Sequence, residues 1–164
     1  IDQILYNVPG RTAVNMSVET TARLSEISNI IGIKDATGDL TIIRELVKSC
    51  PEDFLLLTGY DATALDFLLL GGHGGISVTA NVTPKELQKV YMTAIAGNAE
   101  VARQANKELT NLHQNLFLES NPIPVKWALH KMGFCSKGIR LPLLKLSSEF
   151  RPVIENDLKE LKLI

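Results

Sequence analysis

Short apolar runs alternate with amphipathic segments along the first half of the chain. The apolar runs cover residues 3–8, 30–34, 54–58 and 76–79, and they lack the strict alternation of half-exposed strands. Uninterrupted apolar runs are typical of strands that are covered on both faces in a parallel sheet. We therefore predict four buried parallel strands in this half of the chain.

Helix-capping signals follow each predicted strand. Ser17, Asp39 and Asp61 each precede a segment whose apolar residues recur at helical spacing. Residues 83–86 have the pattern of a capping box with proline at the first helical position. The first half of the chain is therefore predicted to run β-α-β-α-β-α-β-α.

No strand is predicted after about residue 97, and we place an approximate domain boundary there. This divides the chain into a βα domain, residues 1–97, and a helical domain, residues 98–164. The helical domain is predicted to contain three helices, which cover 98–118, about 125–132 and about 147–162.

Four successive βα units favour a parallel α/β architecture with right-handed crossovers. Two forms fit: a small open sheet with helices on both faces, or part of a (β/α)8 barrel, which takes about 250 residues when complete. Polar side chains at the predicted strand ends favour the barrel. Because Ile1 lies directly before an apolar run, we expect a fragment or a processed chain.

Charge and cysteine content exclude several function classes. The 17 Lys and Arg residues balance 18 Asp and Glu residues, so there is no basic excess that would indicate nucleic acid or an anionic membrane as a partner. No apolar run is long enough to span a bilayer, and no secretory leader is visible. Cys50 and Cys135 fit neither a disulfide framework nor a metal site. We expect a cytoplasmic protein without a metal.

Lys34 is the most informative candidate residue, because it lies at the end of the apolar run 30–33. Burial disfavours the charged form of lysine and favours the neutral amine, which can attack a carbonyl carbon and form a Schiff base. The alternative is a lysine that points to solvent or pairs with Asp35.

Two further candidates lie at the end of the first predicted strand. Tyr6 is one βα unit before Lys34, so its hydroxyl could lie near the amine and relay protons; the alternative is a half-buried aromatic residue. Arg11 follows on the next loop, where its guanidinium would suit a substrate carboxylate; the alternative is a solvated arginine. The glycine-rich segment 71–75 precedes a predicted strand and is interpreted as a tight turn, since phosphate-binding loops follow strands.

Four motifs in register resemble the dihydrodipicolinate synthase family over nearly the whole chain. They are Tyr-Asn-Val-Pro-Gly-Arg-Thr at 6–12, Ile-Gly-Ile-Lys-Asp-Ala-Thr-Gly at 31–38, Gly-Gly-His-Gly-Gly-Ile-Ser-Val at 71–78 and Asn-Pro-Ile-Pro-Val-Lys at 121–126. The resemblance implies about the last four βα units of a (β/α)8 TIM barrel, followed by a C-terminal helical extension. It also implies a homotetramer.

The resemblance further implies a reaction. Lys34 would form a Schiff base with pyruvate, and the derived enamine would attack L-aspartate 4-semialdehyde to give 4-hydroxy-tetrahydrodipicolinate, in lysine and diaminopimelate biosynthesis. Tyr6 would relay protons, and Arg11 would help bind the carboxylate of the second substrate. Gly59 and the backbone carbonyl of Ile76 would line the pyruvate pocket. No organic cofactor or catalytic metal is implied.

Roughly the first four strands of the family's barrel are absent from this chain, including paired threonines that bind the pyruvate carboxylate. We therefore expect little turnover by the isolated 164 residues, because positioning groups act as a unit. Two alternatives stay open: another pyruvate-dependent aldolase, similar to N-acetylneuraminate lyase, and a catalytically incompetent half-barrel. Arg11, five residues after Tyr6, favours the synthase over the lyase.

Overall fold

The computed structural model describes all 164 residues. Four parallel strands form one sheet in the order β1-β2-β3-β4, with β1 at Gln3–Asn7, β2 at Ile30–Asp35, β3 at Leu55–Thr58 and β4 at Gly74–Gly75. The sheet therefore follows chain order, as expected for successive right-handed βα units.

Nine α-helices accompany the sheet. Those of the first half are α1 at Pro9–Thr12, α2 at Val18–Ser25, α3 at Leu40–Ser49, α4 at Ala64–Leu69 and α5 at Pro84–Ile95. Those of the second half are α6 at Ala99–Lys107, α7 at Thr110–Asn115, α8 at Ile123–Lys131 and α9 at Arg151–Glu160. Two short 3-10 helices, Asp61–Thr63 and Thr79–Asn81, follow β3 and β4. None of the helices is long and apolar enough to cross a lipid bilayer.

Two of the predicted helix caps are confirmed. The Ser17 side chain accepts a hydrogen bond from the backbone N–H of Thr20 at the start of α2. The Asp39 side chain accepts one from the backbone N–H of Thr41 at the start of α3. Each bond satisfies one of the backbone donors that a helix leaves without a partner in its first turn.

Two other capping predictions are wrong. The Asp61 side chain turns away from the following helix and binds the chain after β4 instead. The Thr83 hydroxyl donates to the Glu86 carboxylate, so it does not accept from the backbone as a capping box requires.

The predicted fourth strand, 76–79, is misplaced. Gly74–Gly75 forms β4, and the segment after it turns into a 3-10 helix. A Cβ at Gly75 would lie 2.7 Å from the hydroxyl of Tyr91 and 2.9 Å from Cγ2 of Thr58, so only glycine allows this close approach. The glycine-rich segment is therefore partly strand and not only a turn.

Within these 164 residues the strands are covered on one face only, whereas the sequence predicts two covered faces. Alternate residues Ile4 and Tyr6 of β1 are 43% and 49% exposed, whereas Ile33 and Leu56 on the opposite face are 2% and 3% exposed. Helices α2, α3 and α4 contact one another in sequence and cover that second face. One face of the sheet is therefore open, and Tyr6 lies on it.

The second half is more segmented than the sequence predicts. The single helix expected over 98–118 is two helices, α6 and α7, separated at Glu108 and Leu109. Leu109, at this break, is 1% exposed and packs in a core cluster with residues of α4, α5 and α6. This cluster contains residues from both sides of position 97, and the two-domain division stays a prediction. The last two helices, α8 and α9, lie close to the predicted ranges.

Candidate functional site

Tyr6 and Lys34 are direct neighbours on adjacent strands. In the parallel pairing of β1 with β2, Tyr6 is the register partner of Lys34. The Lys34 Nζ atom lies 4.3 Å from the centroid of the Tyr6 ring, within cation–π distance. Neighbouring strand ends thus bring the Tyr6 ring beside the Lys34 amine, while the proximity of the Tyr6 hydroxyl to the amine stays a prediction.

Apart from the Tyr6 ring, the Lys34 amine has no partner in the chain. It takes part in none of the salt bridges, and its Nζ donates no hydrogen bond. The alternative pairing with Asp35 is wrong, since Asp35 is on the opposite face of β2 and is only 4% exposed. The amine is therefore free to meet a ligand on the open face of the sheet.

Gly59 makes room for the Lys34 side chain at the end of β3. A Cβ at position 59 would lie 2.4 Å from the Lys34 Cε and 3.3 Å from the Lys34 Cγ. These distances are well below ordinary carbon–carbon contact of about 3.5–4.0 Å. Any residue larger than glycine would therefore displace the lysine chain.

Ile76 lies beyond β4 at the same edge of the sheet. Its backbone N–H donates to the Thr58 carbonyl at 2.9 Å, which extends the β3–β4 pairing by one residue. Its own carbonyl accepts no hydrogen bond from the protein. The carbonyl is therefore available to a ligand, while the strand pairing fixes its position.

Arg11 lies on α1, the short helix that follows β1. One guanidinium nitrogen, Nη2, donates to the Asn121 carbonyl oxygen at 3.4 Å, and the contact is solvent-exposed. This contact joins the end of β1 to the segment before α8. The remaining guanidinium donors have no protein acceptor, which leaves them available to a carboxylate.

A buried hydrogen-bond network holds the ends of β1 and β2 together, and sequence reasoning did not identify it. Asp35 accepts from the Asn7 side chain at 2.8 Å and from the Thr37 hydroxyl at 2.6 Å. Asn7 in turn accepts from the Met16 backbone N–H at 3.0 Å. Asn7 and Asp35 directly follow Tyr6 and Lys34, so locking one pair fixes the register of the other. The sequence signal that could have identified Asn7 and Asp35 is their position, one residue after Tyr6 and Lys34.

A second buried network supports the chain that follows Ile76. The Asp61 carboxylate accepts from the backbone N–H groups of Val78 and Thr79, both at 3.0 Å. The Thr79 hydroxyl is 2.9 Å from Nδ1 of His113, a residue of α7. Burial lowers the pKa of His113, while the nearby Asp61 acts in the opposite direction. The network therefore ties the edge of the sheet to the helical half of the chain.

Tyr91 approaches the same region from α5. Its hydroxyl is buried and has no hydrogen-bond partner. Burial raises the pKa of the Tyr91 hydroxyl far above its usual value, and the charge of Asp61 adds to this. The structure contains no group of three or more His, Cys, Asp or Glu side chains placed to hold one metal ion.

Comparisons with known proteins place this geometry in a family. The model of the dihydrodipicolinate synthetase family matches residues 1–161. The 4-hydroxy-tetrahydrodipicolinate synthase of Ruthia magnifica is 58% identical over 164 residues, which are 100% of this chain and 55% of that protein. The chain thus spans about half the length of the relatives that it matches.

Comparison with solved structures leads to the same family. A chloride-inhibited dihydrodipicolinate synthase from Acinetobacter baumannii, complexed with pyruvate, matches with a TM-score of 0.97 and 49% identity, over 100% of this chain and 56% of that one. A monomeric dihydrodipicolinate synthase variant matches with a TM-score of 0.94 and 40% identity, over 98% of this chain and 55% of that one. The solved neighbours are TIM barrels, so the four βα units here are part of such a barrel. The chain belongs to the dihydrodipicolinate synthetase family.

Proposed function

We propose that the protein to which this chain corresponds condenses pyruvate with L-aspartate 4-semialdehyde and forms 4-hydroxy-tetrahydrodipicolinate. The observation that supports this most directly is the unpaired amine of Lys34, 4.3 Å from the Tyr6 ring centroid on the open face of the sheet. An unpaired lysine at the C-terminal end of a barrel strand lies where such folds place their catalytic groups. The names of the relatives support the choice of reaction.

In the proposed mechanism, the neutral Lys34 amine attacks the ketone carbon of pyruvate, and water leaves as the imine forms. Loss of a proton from the methyl carbon gives an enamine, which attacks the aldehyde carbon of the second substrate. The aldehyde oxygen takes up a proton and becomes the hydroxyl group of the product, and water hydrolyses the imine and frees the Lys34 amine. The amino group of the second substrate then condenses with the released ketone, which closes the ring with loss of a water molecule. The covalent imine to Lys34 performs the activation, so the proposal includes no organic cofactor and no metal.

The other candidate residues have proposed roles that fit their positions. Tyr6 relays protons during imine formation, which its place beside Lys34 supports. Gly59 and the free carbonyl of Ile76 line the pyruvate pocket. Arg11 binds the carboxylate of the second substrate through donors that its contact with Asn121 leaves free.

The proposal extends to assembly and location. We propose a homotetramer in the cytoplasm, on the strength of the resemblance to the family. One matched structure is of a monomeric variant, so a similar fold also occurs in a monomer. Sedimentation of the complete protein would distinguish a tetramer from a monomer by mass.

The test of the reaction compares two proteins. One is the chain of 164 residues; the other is a chimera in which the amino-terminal portion of the Ruthia magnifica synthase, up to the start of the match, precedes Ile1. We expect the chimera to form product from pyruvate and L-aspartate 4-semialdehyde, and the chain alone to form little, because half of the pocket is contributed by the added portion.

The control is Lys34→Arg in the same chimera, which keeps the positive charge and removes the nucleophilic amine. It should fold like the parent chimera, by far-ultraviolet circular dichroism, and form no product. A folded chimera without turnover, or equal turnover by the Lys34→Arg variant, would contradict the proposed function.

A further inference from the structure

A cavity of about 320 Å³ lies between α8, α9 and the segment that joins them, in the helical half of the chain. We call it the basic cavity, because the side chains that line it include His130 and four cations: Lys126, Lys137, Lys145 and Arg151. No Asp or Glu lines it. Its volume falls at the small end of the range of about 300–1,000 Å³ that is typical of small-molecule sites.

The four cations have no carboxylate partner. None of the salt bridges in the structure includes any of them. Lys126 and Arg151 are half-buried, and Nε of Arg151 donates to the Leu146 carbonyl oxygen at 2.9 Å. No carboxylate of this chain therefore lies within ion-pair distance of any of the four cations.

Three acidic residues lie near the lining residues in the chain, and two of them are engaged elsewhere, whereas Glu149, two residues before Arg151, forms no salt bridge. Glu155 of α9 pairs with Lys131 at 3.4 Å and with Lys159 at 3.7 Å. Glu119 accepts from the Ser147 backbone N–H at 3.2 Å. None of these three carboxylates lines the basic cavity, so no carboxylate lies among the cations of the lining.

The backbone adds further donors at the same place. The backbone N–H groups of residues 136–139 donate to no acceptor in the protein, and all four residues line the cavity. Arg151 is the first residue of α9, whose first turn has no acidic residue and no side-chain cap. The N-terminal end of α9 therefore contributes a residue to the cavity lining, and a helix N-terminus favours negative charge.

The charge is local to this part of the chain. Residues 131–148 contain Lys131, Lys137, Arg140 and Lys145 and no Asp or Glu, whereas the net charge of the whole chain is −1. A general excess of basic residues therefore does not explain the cluster.

We propose that the basic cavity binds a small multivalent oxyanion, either inorganic phosphate or a small molecule that bears a phosphate group. Several ammonium groups, a guanidinium and free backbone N–H groups are the donors that phosphate oxygens accept from. The site is separate from Lys34 and Tyr6, and the inference does not depend on the imine chemistry.

The chain contains a natural reporter of this site, because its single tryptophan, Trp127, lines the basic cavity. The test titrates the 164-residue chain and the chimera with inorganic phosphate, pyrophosphate and glycerol 3-phosphate. Trp127 fluorescence and titration calorimetry are followed at constant ionic strength, with sodium chloride as the balancing salt. We expect saturable binding of at least one phosphate probe, and no saturable response to chloride.

The variant Lys137→Gln/Lys145→Gln tests the location of binding. The two lysines are exposed, so the variant should keep the fold, and its dissociation constant should rise by about tenfold or more because two charged donors are lost. If it does not fold, Lys137→Gln alone takes its place. The matched control, Lys48→Gln/Lys107→Gln, removes two lysines outside the cavity and should leave binding unchanged.

The titrations with the three phosphate probes also distinguish the source of the phosphate. Tighter binding of glycerol 3-phosphate or pyrophosphate than of phosphate would indicate a phosphorylated metabolite, and equal binding would indicate the free ion. The proposal is overturned if the folded chain and chimera give no saturable response to any phosphate probe. It is equally overturned if the variants at 137 and 145 bind as tightly as the unaltered protein.

Discussion

Replacement of Gly59 by alanine tests whether the position of the Lys34 side chain controls imine formation. The new methyl group would lie 2.4 Å from the Lys34 Cε and 3.1 Å from the Ala36 Cβ. The backbone of Gly59 lies outside the left-handed region, so alanine adds no backbone strain. The perturbation therefore acts on the lysine chain and hardly at all on the fold.

The size of the effect follows from the overlap. An ordinary carbon–carbon contact is about 3.5–4.0 Å, so the Lys34 Cε must retreat by more than about 1 Å. A displacement of about 1 Å can slow a reaction by about 100-fold. The stability cost should stay below the upper end of the ~1–3 kcal/mol that overpacking causes, because the far end of a flexible side chain can move.

The assay mixes the chimera with pyruvate, traps the imine with borohydride and follows the mass of the intact protein over time. Adduct formation should be about 100-fold slower in Gly59→Ala than in the parent chimera, with a similar unfolding temperature. The matched control is Gly10→Ala, whose new methyl group would have nothing within 4 Å. Equal rates for Gly59→Ala and the parent, or equal slowing by Gly10→Ala, would refute the steric reasoning.

Three further predictions concern stability. Burial lowers the pKa of His113, so the native state binds fewer protons than the unfolded state. The unfolding free energy should therefore fall as the pH drops below about 6.5. Urea unfolding at pH 7.5 and pH 5.0 should show a smaller loss of unfolding free energy in His113→Asn than in the unaltered protein. Burial raises the pKa of Asp157, so its ionised form costs stability as the pH rises above about 3.9. Asp157→Asn keeps an acceptor for Asn115 and should gain more stability at pH 7.5 than at pH 4.5 in the same assay. Gly72→Ala would place a methyl group 2.3 Å from the Phe67 ring and 2.9 Å from its carbonyl oxygen, and should cost about 1–3 kcal/mol in urea unfolding.

Local sequence signals predicted the first three strands and two caps because each depends on a few neighbouring residues. The strand ranges 3–8, 30–34 and 54–58 overlap β1, β2 and β3, and Ser17 and Asp39 cap as expected. Once the order of strands is known, parallel pairing of neighbours brings Tyr6 beside Lys34. The central pair of the candidate site was therefore accessible from sequence.

Features that depend on distant contacts were not accessible. Asp61 has the sequence context of a helix cap, but its carboxylate binds backbone groups 17 and 18 positions later. The strand at Gly74–Gly75 depends on the close approach of Tyr91 and Thr58, which no local pattern of apolar residues encodes. The basic cavity likewise depends on how α8 and α9 fold together.

The central claim is that Lys34 forms the imine with pyruvate. The most direct measurement is peptide mapping of the chimera after borohydride reduction in the presence of pyruvate. We expect one reduced pyruvate on the peptide that contains Lys34, and none in the Lys34→Arg variant. A folded chimera without this adduct, or an adduct on another lysine that persists in Lys34→Arg, would contradict it.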